Sequence, residues 1–175
     1  MAIVINGSGS ITGLAVGGLP DGTVDNDTIA AATIADAKMA SGGGKVLQVV
    51  QAIRTTNFSS SATSYIDTGL SRSITPSSTS SKILVLVSQQ GFYSGAQISA
   101  YVNLVRESTQ VTETYFQSQT TGQGYFANTI SYLDSPSTTS AITYKTQAKN
   151  SEGRIMYLSW GTNGKAYITL MEIGA

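Results

Sequence analysis

The chain contains neither cysteine nor histidine. That removes disulfides, thiolate and imidazole metal sites, and every nucleophile or acid/base arrangement built on His or Cys. Proton chemistry is left to carboxylates, and in residues 45–175 these are Asp67, Glu107, Glu113, Asp134, Glu152 and Glu172. A glycosidase needs two carboxyl groups flanking the scissile bond, and no spacing among these six pairs any two. Asp67 in Ile-Asp-Thr-Gly and Asp134 in Leu-Asp-Ser-Pro read as strand-end caps, and Glu107 next to Arg106 reads as a solvated ion pair. No acidic run has calcium-loop spacing, and no glycine-rich stretch opens a helix as a phosphate loop does. Neither catalysis nor a metal or cofactor is expected.

Binding chemistry is better supplied. A neutral surface recognises saccharides with aromatic faces that stack on sugar rings and with amides or hydroxyls that bond their hydroxyl groups. Three tracts carry both: Gly91-Phe-Tyr-Ser-Gly95, Tyr115-Phe-Gln-Ser-Gln-Thr-Thr-Gly-Gln-Gly-Tyr-Phe126 and Trp160-Gly-Thr-Asn-Gly164. Each is expected in a loop or at a strand end. In the pairs Tyr115-Phe116 and Tyr125-Phe126 strand alternation sends one ring to each face, so one ring of each pair belongs to the core and the tyrosine is expected on the wet side. The candidate contacts are Tyr93, Tyr115, Gln119, Gln123, Tyr125, Trp160 and Asn163. The competing use for any of these aromatics is to fill the core or an interface between copies.

The elements that must hold these tracts are strands. Residues 45–175 alternate short runs rich in β-branched and aromatic side chains with clusters of Ser, Thr, Gly and Asn. Strands are expected over 46–53, 64–66, 82–88, 98–105, 111–116, 125–133, 141–146, 155–160 and 166–173, a density that implies a jelly-roll-like sandwich. Tyr167, Thr169, Met171 and Ile173 alternate cleanly with Ile168, Leu170 and Glu172. Ile83-Leu84-Val85-Leu86-Val87 is apolar on both faces and should be a central strand, or one covered by a neighbouring subunit. The whole chain of 175 residues has ten Lys/Arg against ten Asp/Glu and is only 11% charged, so binding to nucleic acid or a membrane surface through net basicity is disfavoured. Ser and Thr make up 46 residues. No stretch approaches the length of a membrane span, and the N-terminus lacks the basic region of a secretory signal.

Residues 1–44 read differently. Leu14, Leu19, Val24, Ile29, Ile34 and Met39 recur every five residues, with Thr23, Thr28 and Thr33 before the three central ones, and the segment closes on Gly42-Gly43-Gly44. A period of five fits neither a helix nor a strand. The other reading is a short helix over 27–40, capped near Asp25 or Asn26. One medium-sized apolar side chain per five residues cannot offset the ordering entropy of a single copy. Copies must associate, and three parallel chains around an axis give a continuous core. A homotrimeric stalk over 14–44 is therefore expected, with residues 1–13 ahead of it. There Ala2, Ile3, Val4 and Ile5 form a β-branched run before the turn dipeptide Asn6-Gly7, suited to pairing with the edge of another protein as an anchor.

Tyr65-Ile-Asp-Thr-Gly-Leu70, Ser73-Ile-Thr-Pro76 and Ser80-Ser-Lys-Ile-Leu-Val-Leu-Val87 resemble the start of a β-domain that recurs at the C-termini of bacteriophage fibre proteins, especially of phages from aquatic bacteria. Tyr132-Leu-Asp-Ser-Pro136, Ala141-Ile-Thr-Tyr144 and Ile168-Thr-Leu-Met-Glu-Ile173 continue it, so the resemblance covers most of residues 45–175. The opening Met-Ala-Ile-Val-Ile-Asn-Gly and the tract Ile-Ala-Asp-Ala-Lys-Met are similar to fibre N-termini. The resemblance implies an all-β, homotrimeric tail fibre on the virion, outside the cell, with a fibrous stalk and a β-sandwich head. It would be held by its N-terminus to baseplate, tail or capsid proteins and would contact a host-surface glycan with its head. A trimeric capsid decoration or head-fibre protein would have the same fold and another attachment site, and a polysaccharide depolymerase would need paired acids in one groove.

Overall fold

The computed structural model describes residues 45–95, 97–119, 122–160 and 164–174, which belong to a unit spanning Gly43–Ala175. The expected anchor residues Ala2, Ile3, Val4 and Ile5 and the period-five column Leu14, Leu19, Val24, Ile29, Ile34 and Met39 lie outside the described residues, as does Asn163. The described unit is all-β, with ten strands: β1 (Val46–Arg54), β2 (Phe58–Ser60), β3 (Ile66–Ile74), β4 (Lys82–Gly95), β5 (Ile98–Arg106), β6 (Thr109–Ser118), β7 (Gly122–Asp134), β8 (Ile142–Asn150), β9 (Met156–Leu158) and β10 (Ala166–Ile173).

Two antiparallel sheets enclose the core. In the larger one β4 pairs with β7 along its length and, on its other edge, first with β10 and then with β9; β1 extends the sheet beyond β10 and β2 beyond β9. The smaller sheet runs β3-β8-β5-β6. Ile83, Val85 and Val87 of β4 and Ile168 and Leu170 of β10 point inward, where they share one cluster with Ala100, Val102 and Leu104 of β5 and Tyr144 and Ala148 of β8. Full burial stabilises by about 1.5–3 kcal/mol for each of the larger apolar side chains. The doubly apolar run of β4 is central, as its composition requires.

Two strand glycines shape the core. Gly91 faces Phe126 and Gly124 faces Tyr93 in register. A Cβ on Gly91 would stand 2.0 Å from the Phe126 ring, and one on Gly124 would stand 2.4 Å from the Tyr93 hydroxyl oxygen. Each ring thus lies flat over bare backbone of the neighbouring strand, which is why glycine is used inside these strands.

Buried polar groups cluster where the chain enters. Glu172 is fully buried on β10 and accepts hydrogen bonds from Gln48 Nε2 (2.6 Å), the Ser77 backbone N–H (2.7 Å) and Ser77 Oγ (2.6 Å). Burial alone would raise its pKa, but donors from Gln48, Ser77 and Ser81 outweigh that and hold the carboxyl down at about 2. Asp134, read from the sequence as a turn cap, is instead a buried acceptor for Arg106 Nη1 and Tyr144 Oη, each at 2.6 Å. Arg106 is therefore committed to Asp134 and not to Glu107, whose carboxylate accepts from the Thr143 backbone N–H. Asp67 is not a cap either; it accepts from Lys145 (2.9 Å) and Gln147 (2.7 Å), which lower its pKa.

The outer face of the larger sheet is unevenly apolar. Val49, Met171, Leu84 and Leu133 stand side by side in register across β1, β10, β4 and β7. Val49 is 54% exposed and Leu133 49%, with Leu84 and Met171 half-buried between them. Ile53 adds a further exposed apolar group along β1.

Candidate binding surface: an aromatic shelf

Eight residues along β4 from Leu84, about 27 Å at strand rise, the same outer face ends in an aromatic shelf. Parity puts Phe92 outward, because the inward positions are Ile83, Val85, Val87 and Tyr93. Register brings it Tyr125 from β7 and Tyr157 from β9, and the turn after β9 returns Trp160. Phe92 is stacked on Trp160 at 5.2 Å and 14°, and it meets Tyr125 at 5.1 Å and Tyr157 at 5.6 Å, with Tyr157 4.4 Å from Trp160. Phe92 is thereby only 6% exposed although it points away from the core. The rings that cover it face solvent: Tyr125 is 76% exposed and Trp160 37%.

Polar groups suited to sugar hydroxyls surround the rings. Gln90 and Ser94 flank Phe92 on the same face of β4, and Gln123 sits opposite Ser94 on β7; all three are exposed. Such a shelf offers π faces for a pyranose ring and amide or hydroxyl partners at its rim. None of these rings and rim residues is itself charged.

Of the candidate contacts read from the sequence, Tyr125, Trp160 and Gln123 come together here. Tyr93 does not. It is buried on the opposite face of β4, its ring over Gly124 and its hydroxyl donating to Ser118 Oγ (2.7 Å). The tract that carries it is no loop, since β4 continues to Gly95 paired with β7. Tyr115 belongs to another surface, the outer face of the smaller sheet, where its ring lies 4.8 Å from that of Tyr101. Gln119 follows β6, is exposed, and its backbone carbonyl accepts from Gln97. Tyr157 escaped the sequence reading, and Phe92 lay in the first of the quoted tracts without being named as a contact.

A shallow groove of about 360 Å³ between β1 and β3, lined among others by Arg54, Gly69 and Leu70, is a weaker candidate. Its guanidinium donates to the carbonyls of Thr56, Thr68 and Asn57 and so closes the edge of the sandwich. Among the described residues no group of three or more acidic side chains could hold a metal ion, and no helix is long and apolar enough to cross a membrane.

No family model and no curated protein matches the chain. Among solved structures, dimeric latent PorU from Porphyromonas gingivalis is similar over 77% of this chain at 10% identity and a TM-score of 0.32. The chain spans 14% of that protein's length.

Proposed function

We propose that the protein is a homotrimeric virion fibre protein that binds a cell-surface glycan with the aromatic shelf of its β-head and acts without catalysis. The observation that carries this reading is the polarity of one sheet face. The chain enters at Lys45, where the Lys45 carbonyl accepts from Gly174, beside the apolar row of Val49, Met171, Leu84 and Leu133. The solvent-facing rings stand about 27 Å away at the other end of β4. The reading assigns attachment to the first of these poles and recognition to the second, the arrangement a fibre tip would use.

Two packed antiparallel sheets, β1-β10-β4-β7 and β3-β8-β5-β6, are compatible with the jelly-roll-like head expected from the sequence, and the fibre resemblance of Tyr65 to Leu70 and Ile168 to Ile173 favours the same reading. In the proposed trimer a second copy covers the apolar row, because four apolar side chains in register form a patch that a soluble monomer rarely leaves open. The N-terminal 44 residues hold the copies together and attach them to tail, baseplate or capsid proteins. Three of the six acids are committed elsewhere: Asp134 to Arg106 and Tyr144, Glu172 to Gln48 and Ser77, Asp67 to Lys145 and Gln147.

The test is binding of the full-length chain to an immobilised panel of bacterial surface polysaccharides. At least one should bind, and Tyr125→Ala should weaken that binding while the oligomer persists. No binding to any member, or binding indifferent to both Tyr125 and Trp160, would overturn the proposal.

A further inference from the structure

The outer face of the smaller sheet holds a second, differently built surface. In register across its strands lie Tyr115 of β6, Tyr101 of β5 and Lys149 of β8, with Tyr65 just ahead of β3. The Lys149 ammonium is held between two rings, 4.5 Å from the Tyr65 centroid and 4.7 Å from that of Tyr101. Tyr115 continues the row and is 51% exposed. Four strand positions at about 4.8 Å spacing span roughly 14 Å, enough for a short oligosaccharide laid across the strands.

Alongside runs a polar row, also in register: Glu113, Asn103, Gln147 and Asp67. Asn103 is 3% exposed, yet among the described residues nothing donates to its Oδ1. A buried amide oxygen left without a donor is costly unless a bound group or water supplies one. Its neighbour Glu113 is a further acceptor at the rim. The face thus presents an exposed carboxylate acceptor for hydroxyl protons, a ring for stacking, and a fixed cation. Lys145 is taken by Asp67 (2.9 Å), whereas Lys149 makes no ion pair with a carboxylate among the described residues.

We infer that this face binds an acidic saccharide, with Lys149 receiving the carboxylate or sulfate, Tyr115 stacking on a sugar ring, and Glu113 accepting from its hydroxyls. An ammonium pinned between two aromatic faces keeps its orientation at low entropic cost and remains free to pair with an anion on its open side. The site lies on the other sheet from the shelf around Phe92.

The experiment is titration calorimetry of the full-length protein with three probes: an oligogalacturonate, a sulfated galactan oligomer and an uncharged galactan oligomer. One of the two acidic probes should bind at least tenfold more tightly than the uncharged one, and which of them does so tells whether carboxylate or sulfate is the anion read. That preference should weaken as salt rises from 50 to 300 mM. Lys149→Met should reduce the acidic probe to the level of the uncharged one, Lys149→Arg should restore it in part, and Tyr115→Ala should lower affinity for all probes that bind. Lys82→Met, which removes an exposed cation from the other sheet, should leave acidic binding unchanged. Equal affinity for charged and uncharged probes, no binding of either acidic probe, or acidic binding that survives Lys149→Met in a protein that melts normally would each overturn the inference. Acidic binding lost in Trp160→Ala but kept in Lys149→Met would refute this site and leave the shelf standing.

Discussion

The sharpest perturbation of the shelf is Tyr125→Ala, because its costs to folding and to binding separate. The ring is 76% exposed, so only about a quarter of its surface is lost from the folded state, and its main contact is the 5.1 Å pair with Phe92. A tilted aromatic pair contributes about 0.5–1.5 kcal/mol, so truncation should cost about 1 kcal/mol and lower the melting temperature by about 4 °C. Affinity should fall much more, since a central aromatic anchor removed to alanine typically costs 2 kcal/mol or more, about thirtyfold in Kd. Trp160→Ala behaves differently. Most of that ring is covered, stacked on Phe92 and against Tyr157, so it should destabilise by about 2–3 kcal/mol as well as weaken binding. The assay is a pair of measurements on the full-length chain, thermal melting and binding to whichever polysaccharide the wild type selects. A Tyr125→Ala protein with unchanged affinity would show that the rings serve the fold or an interface. A melting temperature lowered by more than 10 °C would show that the ring is packed and not open.

The other expectations concern assembly, acid stability and packing. Val49→Asp with Leu133→Asp should leave the head folded, since both positions are about half exposed, but should shift light scattering from three times 18.2 kDa toward 18.2 kDa, because covering two carboxylates in an interface costs several kcal/mol; an unchanged trimer would move the contact elsewhere. Glu172 has its pKa lowered from 4.5 to about 2, so its contribution is complete above about pH 4.5 and is lost as pH falls from there toward 2. Melting temperature should decline across that window, and Glu172→Gln should flatten the decline while costing about 2–3 kcal/mol at neutral pH; an unaltered acid profile in the variant would show that another group controls it. Gly91→Ala should displace the Phe126 ring and cost about 1–3 kcal/mol by overpacking, visible as a lower urea midpoint, whereas a neutral effect would mean that the ring rotates away freely.

Strand existence was legible from β-branched and aromatic runs with a period of two, as in β10, where Ala166, Ile168, Leu170 and Glu172 are buried and Tyr167, Thr169 and Met171 are not. The same alternation assigned Phe126 to the core and Tyr125 to solvent. It failed at Phe92 and Tyr93 for an identifiable reason. Between Val87 and Gly91 the strand reads Ser-Gln-Gln, and the inward Gln89 is buried with its Nε2 on Thr146, so polarity no longer marks the face and Tyr93 was placed on the wrong side. β2 was missed because three residues, Phe58 to Ser60, carry no period. Most of β3 was missed because Thr68-Gly69-Leu70-Ser71-Arg72 looks like a turn; Gly69, at φ +81°, and the shift in pairing between Asp67 and Ser71 record a bulge there. The acids Asp134 and Glu172 gave no sequence signal, since their partners Arg106 and Gln48 lie 28 and 124 residues away.

The two ends of the large sheet also explain why a chain with so few charges can tolerate exposed apolar groups. Near Lys45 the apolar row is broad and made of aliphatic side chains, Val49, Met171, Leu84 and Leu133, which gain only by exclusion of water and have no directional chemistry. Such a surface fits a partner of the same kind, and in the proposed trimer a second copy would supply one at high effective concentration. At the far end the apolar surface is aromatic and rimmed by Gln90, Ser94 and Gln123. Rings of that type can leave one face to a polar, hydroxyl-rich ligand while their other face rests on Phe92. A surface meant only for packing would have no use for that rim, and a surface meant only for a polar ligand would have no use for the aliphatic row. The division of chemistry along β4 is therefore the physical reason to assign assembly to the entry pole and recognition to the other.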